Sequence, residues 1–234
     1  IRVYAPATDI ADILEEEFTA NGSSNAIKLT PSHISYLKGR GWRGSGQLRA
    51  AIVGGEQVRM EHVEILKELD NDIRIYNEYG PTETTVGCVA EELHQGEPVT
   101  IGRPVTGTRI YIMGEGMTLA GMGIWGEICV GGAGVGKGYL NNIELSKEKF
   151  VNDPFHEGGR MYRTGDIGRW REDGRIEYRG RKDDQVKIRG YRVELGEIET
   201  ALQSHPLVRA AVVTVKETKT GERELVGYIT SGGS

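Results

Sequence analysis

The stretch YNEYGPTETTVG, Tyr76 to Gly87, closes an apolar strand and opens a polar loop. A helix-hostile Gly80-Pro81 turn runs straight into Thr82, Thr84 and Thr85, wrapped around one carboxylate, Glu83. A turn alone can be made with less. Immediately upstream, "DIRIYNEYG" (72–80) predicts a strand, "QVRMEHVEILKEL" (57–69) the helix before it, and "RAAIVGG" (49–55) another buried strand. Further back, Thr30-Pro31 opens the helix "PSHISYLK", with a cap and a proline at the first helical position. "AIKLT" reads as a short strand. "DIADILEEEFTA" carries Ile10, Ile13, Leu14 and Phe18 at helical spacing behind an Asp9 cap, and "IRVYAP" reads as an opening strand. This rhythm implies a parallel βαβ sheet. It places the loop after Tyr79 at the carboxyl rim, where ligands of such sheets bind.

From about Ile101 the pattern changes to short strands and turns: "TRIYIM", "GEICVGG", "MYRTGDIGRW" and "RIEYRGR", with "EDG" (172–174) as a hairpin turn. A small antiparallel sheet or barrel-like unit is expected there. Beyond the charged "GRKDD" comes a helix with Leu195, Ile198 and Leu202 on one face, stopped by Pro206. Two strands, "VRAAVVTVKE" and "ELVGYIT", follow around the turn "TKTGE". The expected organisation is a core over 1–182, split into an α/β layer (1–100) and a mostly β unit (101–182), then a hinge and small α+β subdomain over 183–234.

Hydrophobic residues at 38% and charged residues at 27% describe an ordinary globular chain of 234 residues. A net charge of −5 argues against nucleic acid as a partner, since phosphate neutralisation needs a basic surface. No apolar window reaches the length of a membrane span, and no signal peptide opens the chain. Cys88 and Cys129 form neither a disulfide framework nor a zinc spacing, which suits a reducing, cytoplasmic setting. The chain opens at Ile1 inside an apparent strand and closes in Ser/Gly residues, so a fragment of something larger is expected.

Three stretches carry candidate chemistry. "GGAGVGKG" (131–138) nearly matches the phosphate loop G-x-x-x-x-G-K-S/T, but Gly138 stands where the magnesium-binding hydroxyl belongs and no long helix follows. It reads instead as a glycine-rich turn packed near a site. In the 80–87 loop, threonine hydroxyls and turn amides suit phosphate oxygens, and Glu83 suits a magnesium ion that takes most ligands from a substrate. Tyr79 offers a face for a purine. A polar turn with a capping box explains the same letters equally well. In "YRTGD" (162–166), Asp166 could accept both hydroxyls of a ribose, or simply be a hairpin-turn aspartate.

Taken together, "NEYGPTETT", "GEICVGGAGVGKGYLN", "YRTGDIGRW" and "GRKDDQVKIRGYRVELGEIE" stand in the order and close to the spacing of a known family. The chain resembles the amino-acid adenylation domains of nonribosomal peptide synthetases, within the adenylate-forming superfamily. The resemblance covers essentially the whole chain and implies an α/β fold, the C-terminal part of the large adenylate-forming domain plus the start of the small subdomain. It implies ATP and magnesium as cofactors, and as partners an amino acid, a carrier domain with its phosphopantetheine thiol, and condensation domains. By motif position, Tyr79 resembles the adenine-stacking residue, Asn77 a neighbour of the adenine amino group, and Gly55 and Glu56 the loop bordering adenine. Thr82 resembles the α-phosphate contact, Glu83 the metal ligand, Asp166 the ribose ligand, Tyr178 a wall of the nucleotide site and Arg181 a ribose or phosphate contact. Asp183 resembles the hinge.

The family's serine- and glycine-rich phosphate loop, its α-amino-binding aspartate and its catalytic lysine have no counterpart here, so the fragment alone is expected to be inactive. The retained specificity positions are Lys28, Ile52, Gly54, Glu78, Val86 and Gly87. A lysine facing a glutamate can bracket a side-chain carboxamide, and the set resembles the pocket of asparagine-activating members. Aspartate would set a second carboxylate against Glu78, at a cost of ~1–4 kcal/mol. Two other readings fit less well: an acyl- or aryl-acid CoA ligase, against which the two pocket charges argue, and a docking scaffold, which needs neither Thr82 nor Glu83 nor Asp166.

Overall fold

Apolar residues at every second position of three short strands decide the first layer. In the computed structural model, which describes residues 9–19, 24–42, 46–183, 185–188, 191–218 and 223–231, β1 (Ala26–Leu29), β2 (Ala50–Gly54) and β3 (Arg74–Tyr79) pair in parallel. Leu29, Val53 and Asn77 align in one row and are buried. Helices α1 (Ile10–Phe18), α2 (Pro31–Leu37) and α3 (Met60–Leu69) bring Leu14, Phe18, Ile34, Leu37, Val63 and Leu66 into the same core. The alternate row, Lys28, Ile52 and Tyr76, with Glu78 beyond it, lies on the opposite face. The expected opening strand at 1–6 and the turn residues 219–222 fall outside the described residues.

The rhythm implied a parallel sheet, but the sheet is mixed. β4 (Val89–Leu93) and β5 (Arg103–Pro104) extend it antiparallel, in the order β1-β2-β3-β4-β5. The physical reason is the link: residues 80–88 are too few for the crossover that a parallel return requires. Helix α3 also begins three residues later than its apolar spacing suggested, because Gln57, Val58 and Arg59 run up to it outside the helix.

The second sheet, β6 (Thr108–Met113), β7 (Gly126–Gly132), β8 (Phe150–Asn152), β9 (Arg160–Trp170) and β10 (Ile176–Arg181), is antiparallel throughout, with helix α4 (Ile143–Lys149) leading into β8. Its order β10-β9-β7-β6, with β8 on β9, is open rather than barrel-like. Tyr79 and Val89 from the first sheet, with Cys88 from the loop between them, share a core with Ile110, Ile112, Ile128 and Ile176 of the second. Backbone bonds from Ile101 to Ile176 (2.9 Å) and from Ile176 to Gly102 (2.8 Å) stitch the seam. The loop after β3 therefore emerges where the two sheets meet. Beyond β10 lie two two-stranded sheets, β11 (Gln185–Ile188) with β12 (Tyr191–Glu194) and β13 (Val208–Glu217) with β14 (Arg223–Ser231). Helix α5 (Leu195–Gln203) packs on β13, and its Glu199 accepts the Val213 amide at 2.8 Å.

Helices α2 and α3 share an unusual start. At the third helical position each carries a histidine whose Nδ1 accepts the cap residue's amide: Thr30 N–H to His33 at 3.2 Å, Arg59 N–H to His62 at 2.9 Å. An imidazole accepting at Nδ1 is neutral, and burial lowers the pKa of both histidines despite the acids nearby. The unfolded chain titrates near 6.5, so it takes up protons first and stability falls as pH drops below about that value. Each lost cap is worth about 1 kcal/mol. The double variant His33→Gln, His62→Gln keeps an acceptor at the same position. Its unfolding midpoint is expected to drop less between pH 7 and pH 5 than that of the parent; an equal drop would contradict the assignment.

Candidate nucleotide and substrate site

The loop after β3 closes on itself. Val86 N–H donates to the Pro81 carbonyl at 3.2 Å and Cys88 N–H to Tyr79 at 2.9 Å, around a single 3₁₀ turn at Thr82–Thr84. Thr85 and Val86 both sit at φ 64°, a left-handed conformation that is strained for a β-branched residue. The three threonines have different tasks. Buried Thr84 donates to Pro81 O at 3.1 Å and Thr85 to Gly134 O at 2.8 Å, so both fasten the loop. Exposed Thr82 lines the cavities on either side.

The glycine-rich segment lies against this loop, as a turn packed near a site should. Gly136 N–H donates to the Glu83 carbonyl at 2.8 Å. A Cβ at Gly134 would meet Thr84 O at 2.8 Å, so only glycine allows the approach. The next residue after the segment, Tyr139, donates its hydroxyl to Glu83 Oε1 at 2.7 Å and sits 3.0 Å from the hydroxyl of fully buried Tyr162. Neither tyrosine was singled out from the sequence. Only the glycine spacing hinted at the contact.

Asp166 is buried where β9 and β10 begin to pair, and donors from Tyr79, Tyr178 and Arg181 point at it. Tyr79 Oη lies 2.6 Å from Oδ2; Tyr178 Oη at 3.4 Å and Arg181 at 3.2 Å reach Oδ1. Tyr79 is pushed well above the ordinary tyrosine range by burial and by the Asp166 charge. Its ring tilts 46° to that of Tyr178 at 5.9 Å. The turn that presents Asp166 is held by Glu127, whose Oε1 accepts the Gly165 amide at 3.1 Å, and by Thr164, whose Oγ1 accepts the Asp166 amide at 2.9 Å. Arg181 also grips Asp183 through two bonds of 2.7 and 2.8 Å. Burial works against both charges of this pair, yet the partners win: Arg181 rises above its usual range and Asp183 falls below its own. The expected ribose ligand and the expected hinge residue are thus joined by one guanidinium.

Gly55, Glu56, Asn77, Tyr79 and Tyr178 line one narrow cavity, together with Lys187. Asn77 is buried and donates to Thr100 O at 2.7 Å; Glu56 accepts from Ser32 at 2.7 Å while its Oε1 is buried with no partner. A second cavity of about 300 Å³ is lined by Lys28, Gly54, Glu78, Thr82, Val86 and Asp166 among others. Lys28 forms an ion pair with Glu78, their side chains 55% and 25% exposed. A Cβ at Gly87 would strike Glu78 Oε1 at 2.6 Å, so glycine there makes room for the carboxylate. Ile52 stands beside Lys28 in the strand register but does not line this cavity.

A cleft of about 770 Å³ on the other side of the loop carries Thr82, Glu83, Tyr139, Lys149, Arg181 and Asp183. Among the described residues no three His, Cys, Asp or Glu side chains cluster to cage a metal. Glu83 beside the hydroxyls of Thr82 and Tyr139 nevertheless fits magnesium, which keeps most of its shell for waters and substrate phosphates. Burial pushes Cys88 up to about 11 and Cys129 up to about 12, so both stay as inert thiols. Among the described residues no helix is long and apolar enough to cross a membrane.

A family model described as AMP-binding enzyme matches residues 8–140. The chain is 44% identical over 234 residues to bacitracin synthase 3 of Bacillus licheniformis, covering 98% of this chain and 4% of that protein. It is 41% identical over 236 residues to tyrocidine synthase 3 of Brevibacillus parabrevis, again spanning 4% of the relative's length. Among solved structures it is similar to a nonribosomal peptide synthetase protein with adenylation and PCP domains bound to a vinylsulfonamide inhibitor, at 27% identity and a TM-score of 0.84, covering 96% of this chain and 40% of that one. A four-domain nonribosomal peptide synthetase bound to AMP and glycine aligns at 36% identity and a TM-score of 0.66, over 96% of this chain and 17% of its own.

Proposed function

The chain belongs to the AMP-binding enzyme family, and from that premise we propose that it forms the nucleotide and side-chain pockets of a nonribosomal peptide synthetase adenylation domain that activates asparagine. The observation that carries this reading is the convergence of Thr82, Glu83 and Asp166 with Arg181 around the loop that follows β3. In the proposed reaction the amino-acid carboxylate attacks the α-phosphate of ATP in line. The bond to the bridging oxygen breaks and pyrophosphate leaves. Thr82 contacts the α-phosphate, Tyr79 and Asn77 border adenine with Gly55 and Glu56, and Asp166 takes the ribose hydroxyls beside Tyr178. Glu83 would hold magnesium, which when bound offsets the charge of the phosphates. These groups align two anions and reduce their repulsion rather than form bonds themselves. Rotation about Asp183 then lets a carrier-domain phosphopantetheine thiol attack the aminoacyl carbonyl, with AMP as the leaving group.

Lys28 and Glu78 support the carboxamide reading. Their pair is partly exposed, and such pairs contribute only ~0–1 kcal/mol, so opening it for a ligand costs little. An asparagine side chain replaces both lost bonds: the ammonium donates to its oxygen and the carboxylate accepts from its nitrogen. Glutamine adds a methylene, a discrimination of ~1–3 kcal/mol. Amino-acid-dependent ATP–pyrophosphate exchange by the adenylation domain that carries this chain is the test. Asparagine is expected to be fastest, and Glu78→Gln to narrow its lead over aspartate by about 5-fold or more, the equivalent of ~1 kcal/mol. Exchange with aspartate as fast as with asparagine, or an unchanged ratio in the variant, would contradict the pocket.

A further inference from the structure

The glycine-rich segment has no part in the chemistry above, yet it is built onto the loop that carries Glu83. Its amides and carbonyls fix that loop's backbone, through Gly136 N–H to Glu83 O at 2.8 Å and Thr85 Oγ1 to Gly134 O at 2.8 Å. Tyr139 then reaches the side chain itself, with its ring braced edge-on against Phe150 at 5.3 Å. We propose that Tyr139, backed by Tyr162, is a positioning residue that holds the Glu83 carboxylate in the orientation that receives a nucleotide-borne divalent cation. The proposal rests on the site being an adenylation site.

The direction of the hydrogen bonds follows from the inventory of donors. An ionised carboxylate only accepts, so the Tyr139 proton points to Glu83 Oε1. Tyr162, 3.0 Å away, must then donate to the Tyr139 oxygen. A carboxylate has about four acceptor positions, and one hydroxyl restrains it without cancelling its charge. Such outer partners orient metal ligands and typically change metal affinity 10- to 100-fold when removed. A merely structural tyrosine would show its loss in stability and in every ligand alike.

The test uses Tyr139→Phe in the adenylation domain that carries this chain, with magnesium and ATP as probes. The magnesium concentration for half-maximal asparagine-dependent exchange is expected to rise about 10-fold, with the amino-acid KM within about twofold of the parent. By calorimetry, ATP affinity in EDTA is expected to match the parent, and the gain on adding magnesium to shrink by the same factor. Tyr162→Phe should shift the magnesium requirement the same way but less. A folded Tyr139→Phe with an unchanged magnesium requirement overturns the proposal, as does an equal loss of metal-free ATP affinity. If Tyr139→Phe does not fold, Tyr162→Phe decides, and an unchanged requirement there overturns it. No magnesium-dependent ATP binding by the parent domain would remove the adenylation reading itself, a different failure from that of the tyrosine.

Discussion

Glu83→Gln is expected to lower amino-acid-dependent pyrophosphate exchange by about 100-fold or more, the scale on which a single preorganised electrostatic group acts in a transition state. The substitution is nearly isosteric. A glutamine oxygen can still accept from Tyr139, and the backbone bond from Gly136 to the residue-83 carbonyl is untouched. The unfolding midpoint should therefore stay within a few degrees of the parent while exchange collapses. Added magnesium should recover only part of the rate, because a neutral amide is a poor ligand for a hard cation. A loss of less than about threefold would mean that Glu83 is a turn residue, the alternative that its sequence context leaves open.

Asp166→Ala is expected to damage both folding and binding. Asp166 and Arg181 form a buried pair, their side chains 6% and 11% exposed, and Tyr79 and Tyr178 direct their hydroxyls to the same carboxylate. Removing one partner of a buried pair strands the rest, at a cost of about 3 kcal/mol. Because Arg181 keeps Asp183, the loss falls chiefly on Tyr79 and on the seam between the two sheets. Asp166→Asn separates the two effects. It keeps the shape and most acceptors, so denaturant unfolding should show a much smaller loss, while nucleotide affinity still falls by about 10-fold or more, as for a lost hydrogen bond to a charged group. Equal nucleotide affinity in the parent and the asparagine variant would contradict a ribose role for Asp166.

Local pattern was the part of this molecule that could be read without coordinates. The apolar spacing of Leu14 and Phe18, the Thr30-Pro31 helix start and the strand around Ile75 each answer to neighbours a few residues away, and each was found where expected. β4 was not foreseen, because "VAEEL" mixes charge into a strand that has only one buried face. Side-chain partners were legible only where a family motif marked the position. Asp166 and Arg181 were marked as positions, though not as partners of each other. Tyr139 and Tyr162 were not, since their link to Glu83 spans 56 and 79 residues and no local period encodes it. The pocket reading had a comparable limit: strand register aligns Ile52 with Lys28, but only the three-dimensional rim shows that the cavity passes it by.

The central claim is that a purine nucleotide lies at the junction of the two sheets, with its metal on Glu83 and its sugar on Asp166. A crystal structure of the adenylation domain that carries this chain, grown with magnesium and a non-hydrolysable ATP analogue, addresses it most directly. The expected result has the ribose hydroxyls on Asp166, the long Tyr178 contact released, adenine against Tyr79 and the metal bonded to Glu83. An analogue bound elsewhere, touching neither Glu83 nor Asp166, would contradict it.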